Sequence, residues 1–302
     1  MKIVIANTVG IDWRGKAIVH SPSRWTNSYD DHNVFTYYPW ELCYLSSLLK
    51  HKTDFDVKFM DGCLWKLDNQ SYFKRIAEEN PDWLVMESST RTINEDLRLA
   101  LRIKKECGTK LIFTGQHPTA RPLDVLAGNL QARLGEDRPP FQGIGVDHVC
   151  IGEYERTVLD ILNGKDPRDI PGIHPNGYRP LLNVNELPWP EDGDIGRIEY
   201  CFPPEMSSAH CEIQFYTSRS CPIHCNFCVT GNMYYVRPNW RERDPADIVA
   251  EIAFLKQKYP QMEGCFFDEE IHNIGKKFIL NLTRAIRSAG LDTLHYNAMC
   301  GL

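Results

Sequence analysis

Three cysteines stand close together in the last third of the chain, within the octapeptide CPIHCNFC. Cys221, Cys225 and Cys228 are separated by three and then by two residues, so one loop can present three thiolates to one metal centre. Three irons of a [4Fe–4S] cube can each take one thiolate, which leaves the fourth iron open to a substrate or cofactor. The spacing therefore predicts a metal centre in this loop.

A zinc site is the alternative that these residue types leave open. His224 or a distant cysteine would then supply the fourth ligand. Zinc loops usually pair one CxxC motif with a second one or with two histidines, and we find neither in the sequence. We therefore favour an iron–sulfur cluster. Four other cysteines lack compact spacing, and we expect small buried side chains at Cys201, Cys211, Cys265 and Cys300.

The sequence around the loop predicts half of a β/α domain. Strands are predicted at residues 212–217, 265–267 and 294–298. Asp244 and Pro245 supply an N-cap and a first-turn proline for an amphipathic helix, and residues 278–288 predict a second helix. We assign residues 211–302 to this domain, with the cysteine loop directly after its first strand.

The first half of the chain alternates short β-rich runs with helical patterns. Strands are predicted at residues 2–7, 55–60, 83–87, 110–114 and 147–151, and helices at 40–50, 72–79, 93–107, 123–127 and 156–162. Thr92 and Glu95 form a capping-box pattern before the third helix. The alternation predicts a flavodoxin-like doubly wound α/β domain over residues 1–165. Residues 166–210, rich in Pro, Gly and Asn, predict a linker.

Several predicted strands of the first domain end in small or polar residues. Ser88, Gly115 and Gly152 are examples. In doubly wound sheets, ligands bind beyond the carboxyl ends of the strands. These residues therefore indicate a ligand-binding edge.

The composition argues against several other classes of protein. The 302 residues are 42% hydrophobic and contain no apolar run long enough for a membrane helix. The 34 Lys and Arg against 40 Asp and Glu give a net charge of −6 without a basic block, which argues against nucleic-acid binding. The first residues resemble a strand rather than a signal peptide, and the eleven cysteines are irregularly spaced, so we expect a cytoplasmic protein.

The cysteine spacing, the aromatic Phe227 before the last cysteine and the upstream strand resemble the radical S-adenosylmethionine (SAM) superfamily. The resemblance extends to the subgroup that carries an N-terminal cobalamin-binding domain. Each further segment is weak by itself, but together they follow the order of that subgroup. They are YPWELCYL (38–45), FTGQHPTA (113–120), VDHVCIGE (146–153), IPGI (170–173), ELPWP (186–190) and TSRS (217–220).

This resemblance implies a flavodoxin-like, or Rossmann-like, cobalamin-binding domain followed by a partial radical SAM β/α barrel. The open iron of a cluster on Cys221, Cys225 and Cys228 would bind the amino and carboxylate groups of SAM. One electron would then cleave the sulfonium to give a 5′-deoxyadenosyl radical. Only about half of the strands of such a barrel fit after residue 211, so we expect slow or absent SAM cleavage by this chain alone.

The resemblance also implies which residues contact the organic cofactors. The backbone near Phe227 would lie by the adenine of SAM. Asp268, Glu269 and Glu270 end the second strand, near the expected SAM amino group. A carboxylate there, assigned to Asp268 and Glu269, would bind the ammonium by a charge-assisted hydrogen bond, although a solvated acidic strand end is equally consistent with the sequence. Cobalamin contacts are expected at the sheet edge, on Ser88, Gly115, His117, Thr119, Gly152 and Glu153.

The segment after the first strand departs from the cobalamin mutases. It reads IDWRG (11–15) and lacks the aspartate-x-histidine-x-x-glycine pattern that supplies a histidine to cobalt. A bound cobalamin would therefore lack that ligand. We expect His117 to shape the loop or to contact the amide side chains of cobalamin rather than to ligate cobalt.

The expected reaction is methylation of an unactivated carbon by methylcobalamin after hydrogen abstraction by the radical. Cyclisation or rearrangement without methyl transfer is one alternative, and a non-catalytic cobalamin-binding module is another. The expected partners are a small-molecule or peptide substrate and an electron donor such as flavodoxin or ferredoxin, without nucleic acid or membrane. A partner or self-association is expected to complete the barrel, because its last strand would leave an unpaired edge.

Overall fold

A computed structural model describes residues 1–12, 14–19, 28–29, 36–131, 141, 143–201 and 210–301. The chain divides into two compact units, Met1–Leu181 and Leu182–Leu302. The segment predicted as a linker is thus shared between the two units. Its first part packs on the first sheet, where the Ile151 amide donates to the Gly172 carbonyl at 2.8 Å. Its second part is held in the second unit, where the Trp189 indole donates to Asp247 at 2.8 Å.

The first unit contains a five-stranded parallel sheet in the order β4-β1-β5-β6-β7 and a separate antiparallel pair of β2 and β3. Its strands are β1 (Lys2–Asn7), β2 (Ile18–Val19), β3 (Ser28–Tyr29), β4 (Asp56–Asp61), β5 (Trp83–Glu87), β6 (Lys110–Thr114) and β7 (His148–Val149). Its helices are α1 (Trp40–Lys52), α2 (Asn69–Glu79), α3 (Ile93–Cys107), α4 (Gln116–Ala120), α5 (Pro122–Leu126) and α6 (Glu155–Leu162).

The order of the five strands in the parallel sheet is the flavodoxin order, and the predicted fold class is confirmed. Ile3, Val4 and Ile5 of β1 are fully buried, because the central strands of a sheet covered by helices on both faces meet no solvent. The main difference lies in β7, which is shorter than predicted. The Cys150 amide still donates to the Phe113 carbonyl of β6 at 2.9 Å, but Cys150 also bridges Ile173 in the antiparallel direction.

The predicted capping box at the start of α3 is wrong. The Thr92 backbone is helical, with φ −101° and ψ −16°, and its side chain makes no cap hydrogen bond. The hydroxyl instead lies 3.3 Å from the Ser89 hydroxyl, and the Glu95 carboxylate accepts from the Asn69 amide at 3.0 Å. Tertiary partners at the buried strand end therefore replace the local cap.

The second unit contains a three-stranded parallel sheet in the order β12-β11-β8 and an antiparallel pair of β9 and β10. Its strands are β8 (Glu212–Phe215), β9 (Ser218–Arg219), β10 (Arg241–Glu242), β11 (Gly264–Phe267) and β12 (His295–Ala298). Its longer helices are α7 (Pro245–Lys258) and α8 (Lys276–Ser288), and a π-helix spans Thr230–Tyr234.

The second core forms between this sheet and its two helices. Ile213 and Phe215 of β8 are fully buried against Ile248 and Ile252 of α7. The predicted N-cap of α7 is confirmed, because the Asp244 carboxylate accepts from the Ala246 amide at 2.9 Å. In the described parts of the chain, no helix combines the length and the apolar character needed to cross a membrane.

Candidate functional site

The cysteine loop starts immediately after β9 and is held by its backbone. The Asn239 amide donates to the Cys221 carbonyl at 3.1 Å. The Asn232 side-chain amide donates to the carbonyls of Cys225 and Cys228 at 2.7 and 2.9 Å. Asn232 belongs to the π-helix, an element that is common at functional sites. The loop is thus held through the backbone carbonyls of all three cysteines, and these hydrogen bonds do not involve the thiols.

The thiols of the loop are accessible but are not gathered into a finished ligand set. All three cysteines are partly exposed, and the Phe227 side chain is 90% exposed. Within the described residues, no group of three or more His, Cys, Asp or Glu side chains has the arrangement of a metal site. The predicted ligands therefore share one loop, and a bound cluster would have to draw their sulfur atoms together.

Ser220 immediately precedes the loop and is a buried polar residue in a constrained conformation. Its φ is +74°, in the left-handed region that non-glycine residues rarely adopt. Its hydroxyl is buried and has no hydrogen-bond partner among the described residues. Buried hydroxyls are normally satisfied, so an unpartnered hydroxyl on the residue before Cys221 is consistent with a cofactor or ordered water at this position.

Two carboxylates of the acidic strand end take different roles. Glu269 is buried and accepts from the Thr217 hydroxyl, from the Thr217 amide at 3.3 Å and from His272 Nδ1 at 2.5 Å. Glu270 instead accepts from the Ser220 amide at 3.1 Å. Glu269 therefore joins the ends of β8 and β11, and Glu270 contacts the cysteine loop.

The SAM contacts at Asp268 and Glu269 remain a prediction, and the structure shows what surrounds each acid. Protein groups already engage the Glu269 carboxylate, and Asp268 is 1% exposed with its amide bonded to the Phe215 carbonyl at 2.8 Å. Glu270, the third of these acids, is the one whose carboxylate accepts from the residue before the loop. Three consecutive acids carry no sequence signal that tells which one turns toward the cysteines.

The charge of Glu270 acts on the nearest thiol. Burial raises the pKa of the Cys221 thiol above its usual value, and the Glu270 carboxylate and the other two cysteines raise it further. A thiol with a raised pKa is mostly protonated at neutral pH. Iron ligation would therefore release a proton from Cys221.

The carboxyl edge of the first sheet brings some of the predicted cobalamin residues together. The His117 amide donates to the Ser88 carbonyl at 3.3 Å, and the Gly152 amide donates to the Thr119 hydroxyl at 3.1 Å. Glu153, beside Gly152, is buried. Two hydrogen bonds, His117 to Ser88 and Gly152 to Thr119, therefore hold the predicted residues together at this edge.

Gly115 has a structural reason to be glycine. Its φ is +100°, and a Cβ there would lie 2.8 Å from the Ser88 carbonyl oxygen and from Glu87 Cγ. The turn after β6 thus depends on close approach to the end of β5. A side chain at position 115 would disturb the fold whether or not a ligand binds nearby.

His117 is the predicted residue that faces open space. It lines a pocket of about 470 Å³ between α3 and the α4–α5 segment, together with Thr90 and Asn94. Its Nδ1 lies 3.2 Å from the Thr90 hydroxyl, and burial lowers the pKa of its imidazole. A neutral imidazole in a pocket can donate or accept a hydrogen bond.

The sequence analysis misses a buried acid beneath this edge. Asp96 of α3 accepts hydrogen bonds from the hydroxyls of Thr8, which follows β1, and of Ser88, which follows β5. Neighbouring strands β1 and β5 lie where the strand order reverses, the position at which ligands bind in such sheets. An acid in the first turn of a helix is also explained by the helix dipole, so sequence alone does not distinguish this role.

Comparison with solved structures identifies the fold. No protein-family model and no curated protein matches the chain. The cobalamin-dependent S-adenosylmethionine radical enzyme OxsB with aqua-cobalamin bound matches with a TM-score of 0.64 and 14% identity, covering 95% of this chain and 37% of that one. The chain has an OxsB-like fold. The apo, selenomethionine-labelled OxsB gives a TM-score of 0.65 and 12% identity, covering 99% and 38%.

The match to OxsB includes both units of the chain. It shows the fold, a flavodoxin-like domain followed by a partial β/α barrel. The chain spans little more than a third of the length of OxsB.

The buried acid of this OxsB-like fold gives a prediction about pH. Burial raises the pKa of Asp96 from 3.8 to about 7. Between these values the folded chain holds a proton that the unfolded chain has lost, so stability falls as pH rises from about 4 to 7. We expect this group to cost up to about 4 kcal/mol at pH 8 relative to pH 4.

Urea unfolding of wild type and Asp96→Asn at pH 5 and pH 8 measures this effect. The asparagine keeps the shape and cannot ionise, so the variant should lose less stability than wild type between the two pH values. Equal losses in the two proteins would show that Asp96 does not titrate in this range.

Proposed function

We propose that this chain is the cobalamin-binding and cluster-binding portion of a cobalamin-dependent radical SAM enzyme. The observation that carries the proposal is the position of the CPIHCNFC loop. The loop follows the first strand of a parallel sheet in a fold similar to OxsB, and its three cysteines are partly exposed. The chain thus carries three thiol donors of the kind that bind an iron–sulfur cluster.

Cys221, Cys225 and Cys228 would hold the [4Fe–4S] cluster. The bound cluster would supply the electron that cleaves SAM to a 5′-deoxyadenosyl radical, for methylation of an unactivated carbon with cobalamin. The partly exposed thiols and the orphaned Ser220 hydroxyl support this assignment.

The chain's own residues would position the loop. Glu270 holds the Ser220 amide and places a negative charge beside the first cysteine, where it can also attract a cationic ammonium group. Glu269 and Thr217 hold the ends of β8 and β11 in register beneath the loop. Asn232 fixes the carbonyls of the other two cysteines.

Cobalamin would bind at the carboxyl edge of the first sheet. Asp12, in the segment where the mutases carry their histidine motif, accepts from the amides of Arg14 and Lys16 and thereby closes a tight turn. This supports a cobalamin bound without a histidine from that segment. His117, in its pocket, would contact the periphery of the cofactor.

The proposed activity also requires a substrate and an electron donor. A small-molecule or peptide substrate would receive the radical, and a flavodoxin or ferredoxin would supply electrons. A partner or a second copy of the chain would complete the barrel beside β12.

Titration of the full chain with hydroxocobalamin tests the cobalamin half of the proposal. We expect one equivalent to bind, with an absorption spectrum that lacks histidine ligation. His117→Ala should weaken binding by about tenfold, the effect of one lost hydrogen bond, and should leave the spectrum of the complex unchanged.

His51→Ala is a matched control. His51 lies in the last turn of α1, where its ring bonds to the Ser47 carbonyl at 2.7 Å, and its loss should not alter cobalamin affinity. Absence of binding by wild type would overturn the cobalamin assignment. A changed cobalt spectrum in His117→Ala would show that His117 is a ligand.

A further inference from the structure

Two cysteines outside the loop lie in unusually close contact. The Sγ atoms of Cys201 and Cys211 are 3.0 Å apart. This distance is only about 1 Å longer than a disulfide bond. Both cysteines are partly exposed. The sequence analysis expects small buried side chains at these positions, and the structure shows a pair of thiols instead.

The backbone of each cysteine is fixed by its neighbours. The Cys211 amide donates to the Glu263 carboxylate at 2.8 Å, and its carbonyl accepts from the amides of Glu263 and Gly264 at 2.9 and 3.1 Å. The Cys201 amide donates to the Ile198 carbonyl at 3.2 Å. Backbone hydrogen bonds at Cys201 and at Cys211 therefore hold the two sulfur atoms close together.

Two further contacts hold the elements that carry the pair. The Gln214 side chain of β8 donates to the Tyr200 carbonyl at 2.8 Å. Arg197 donates to the Gln214 carbonyl at 2.5 Å. The short 3-10 helix Arg197–Tyr200 is thus tied to β8 independently of the thiols. A bond between the sulfur atoms would need little movement of the backbone.

The pair is separate from the cysteine loop. Cys211 precedes β8, whereas Cys221 follows its carboxyl end, and a four-residue strand spans about 13 Å. In the portion of the chain that the structure describes, no third Cys, His, Asp or Glu completes a metal site with the pair. Dithiol chemistry therefore fits the pair better than metal binding.

We propose that Cys201 and Cys211 form a redox-active pair that closes to a disulfide by reaction with a low-molecular-weight disulfide such as oxidised glutathione. One thiolate attacks the glutathione disulfide, forms a mixed disulfide and releases one reduced glutathione. The second thiolate then attacks the mixed disulfide and releases the other. The pair is oxidised by two electrons, and the two reduced glutathiones carry away those electrons and the two protons.

The surroundings of the pair give the reaction a pH dependence. Burial raises the pKa of Cys201, and Cys211 and the Glu212 carboxylate raise it further. The Glu263 carboxylate at the Cys211 amide adds a second nearby acid. Because the thiolate is the nucleophile, attack by Cys201 should still be accelerating above the ordinary thiol pKa of about 8.5.

Peptide mapping provides the test. The reduced full chain is incubated with oxidised glutathione, unfolded in guanidinium, treated with iodoacetamide and digested with trypsin. Both cysteines fall in one tryptic peptide, residues 198–219, and the loop cysteines fall in the next. We expect the first peptide to be lighter by two hydrogens, without alkyl groups, and to regain both thiols after treatment with dithiothreitol.

Variants that lack one cysteine of the pair distinguish disulfide formation from ordinary thiol reactivity. Cys201→Ser and Cys211→Ser should leave the remaining thiol as a glutathione adduct. Exposed Cys300, in the peptide 288–302, should also stop at the adduct and serves as an internal control in wild type. Wild-type protein whose 198–219 peptide carries two alkyl groups, or retains glutathione, would overturn the proposal.

Discussion

Replacing Cys221, Cys225 and Cys228 together by Ala is expected to remove all iron and acid-labile sulfide from the anaerobically reconstituted chain. Wild type should contain about four of each, because three thiolates suffice to hold a [4Fe–4S] cube with one open iron. The loop backbone is held through carbonyls at all three cysteines, and the substitutions leave those carbonyls in place. The loss should therefore reflect missing ligands rather than a missing loop.

The matched control is the double variant Cys201→Ala and Cys211→Ala. These cysteines lie at the other end of β8, and their removal should leave the iron and sulfide content of wild type. One equivalent of zinc without labile sulfide in wild type would instead support the zinc alternative, with His224 or a distant cysteine as fourth ligand.

Glu251→Ala is expected to destabilise the second unit by about 3–5 kcal/mol, because it leaves the buried Arg197 guanidinium without a carboxylate and Arg243 with Asp247 alone. Glu251 is 1% exposed and pairs with Arg197 and with Arg243, the latter at 2.6 Å. Arg197 and Arg243 are 2% and 5% exposed, so water cannot replace the lost carboxylate. Urea unfolding followed by fluorescence measures the loss.

Lys258→Ala is the control for this prediction. Lys258 forms an ion pair with Asp192 at 2.6 Å, and its side chain is 39% exposed. Exposed pairs contribute at most about 1 kcal/mol, so the variant should unfold close to wild type. Equal losses in Glu251→Ala and Lys258→Ala would show that the buried arginines find other partners.

The strands of the two parallel sheets were accessible from sequence because they are short runs bounded by turn residues, whereas the two-residue strands of the antiparallel pairs were not. For example, β1 and β5 coincide with the predicted bounds of residues 2–7 and 83–87. Helix starts were less accessible. The first turn of α2 begins at Asn69, three residues before the predicted start, because the Asp68 carboxylate caps the Ser71 amide at 2.6 Å.

The sequence predicts the site only where its residues are close together along the chain. The cysteine loop is one octapeptide, so its spacing carries the chemistry. The pairing of Glu270 with Ser220 spans fifty residues and depends on how the chain turns after β11. Asp96 was missed for the same reason, since its partner Thr8 lies 88 residues away.

The central claim is that the cysteine loop holds a cluster whose open iron binds SAM. Electron paramagnetic resonance of the reconstituted, dithionite-reduced chain with and without SAM tests this claim most directly. Even if the chain alone cleaves SAM slowly, bound SAM should alter the electronic environment of the cluster. We predict a reduced-cluster signal that changes on addition of SAM and that is absent from the triple Ala variant. A signal that stays identical at saturating SAM, or no cluster signal from wild type, would contradict it.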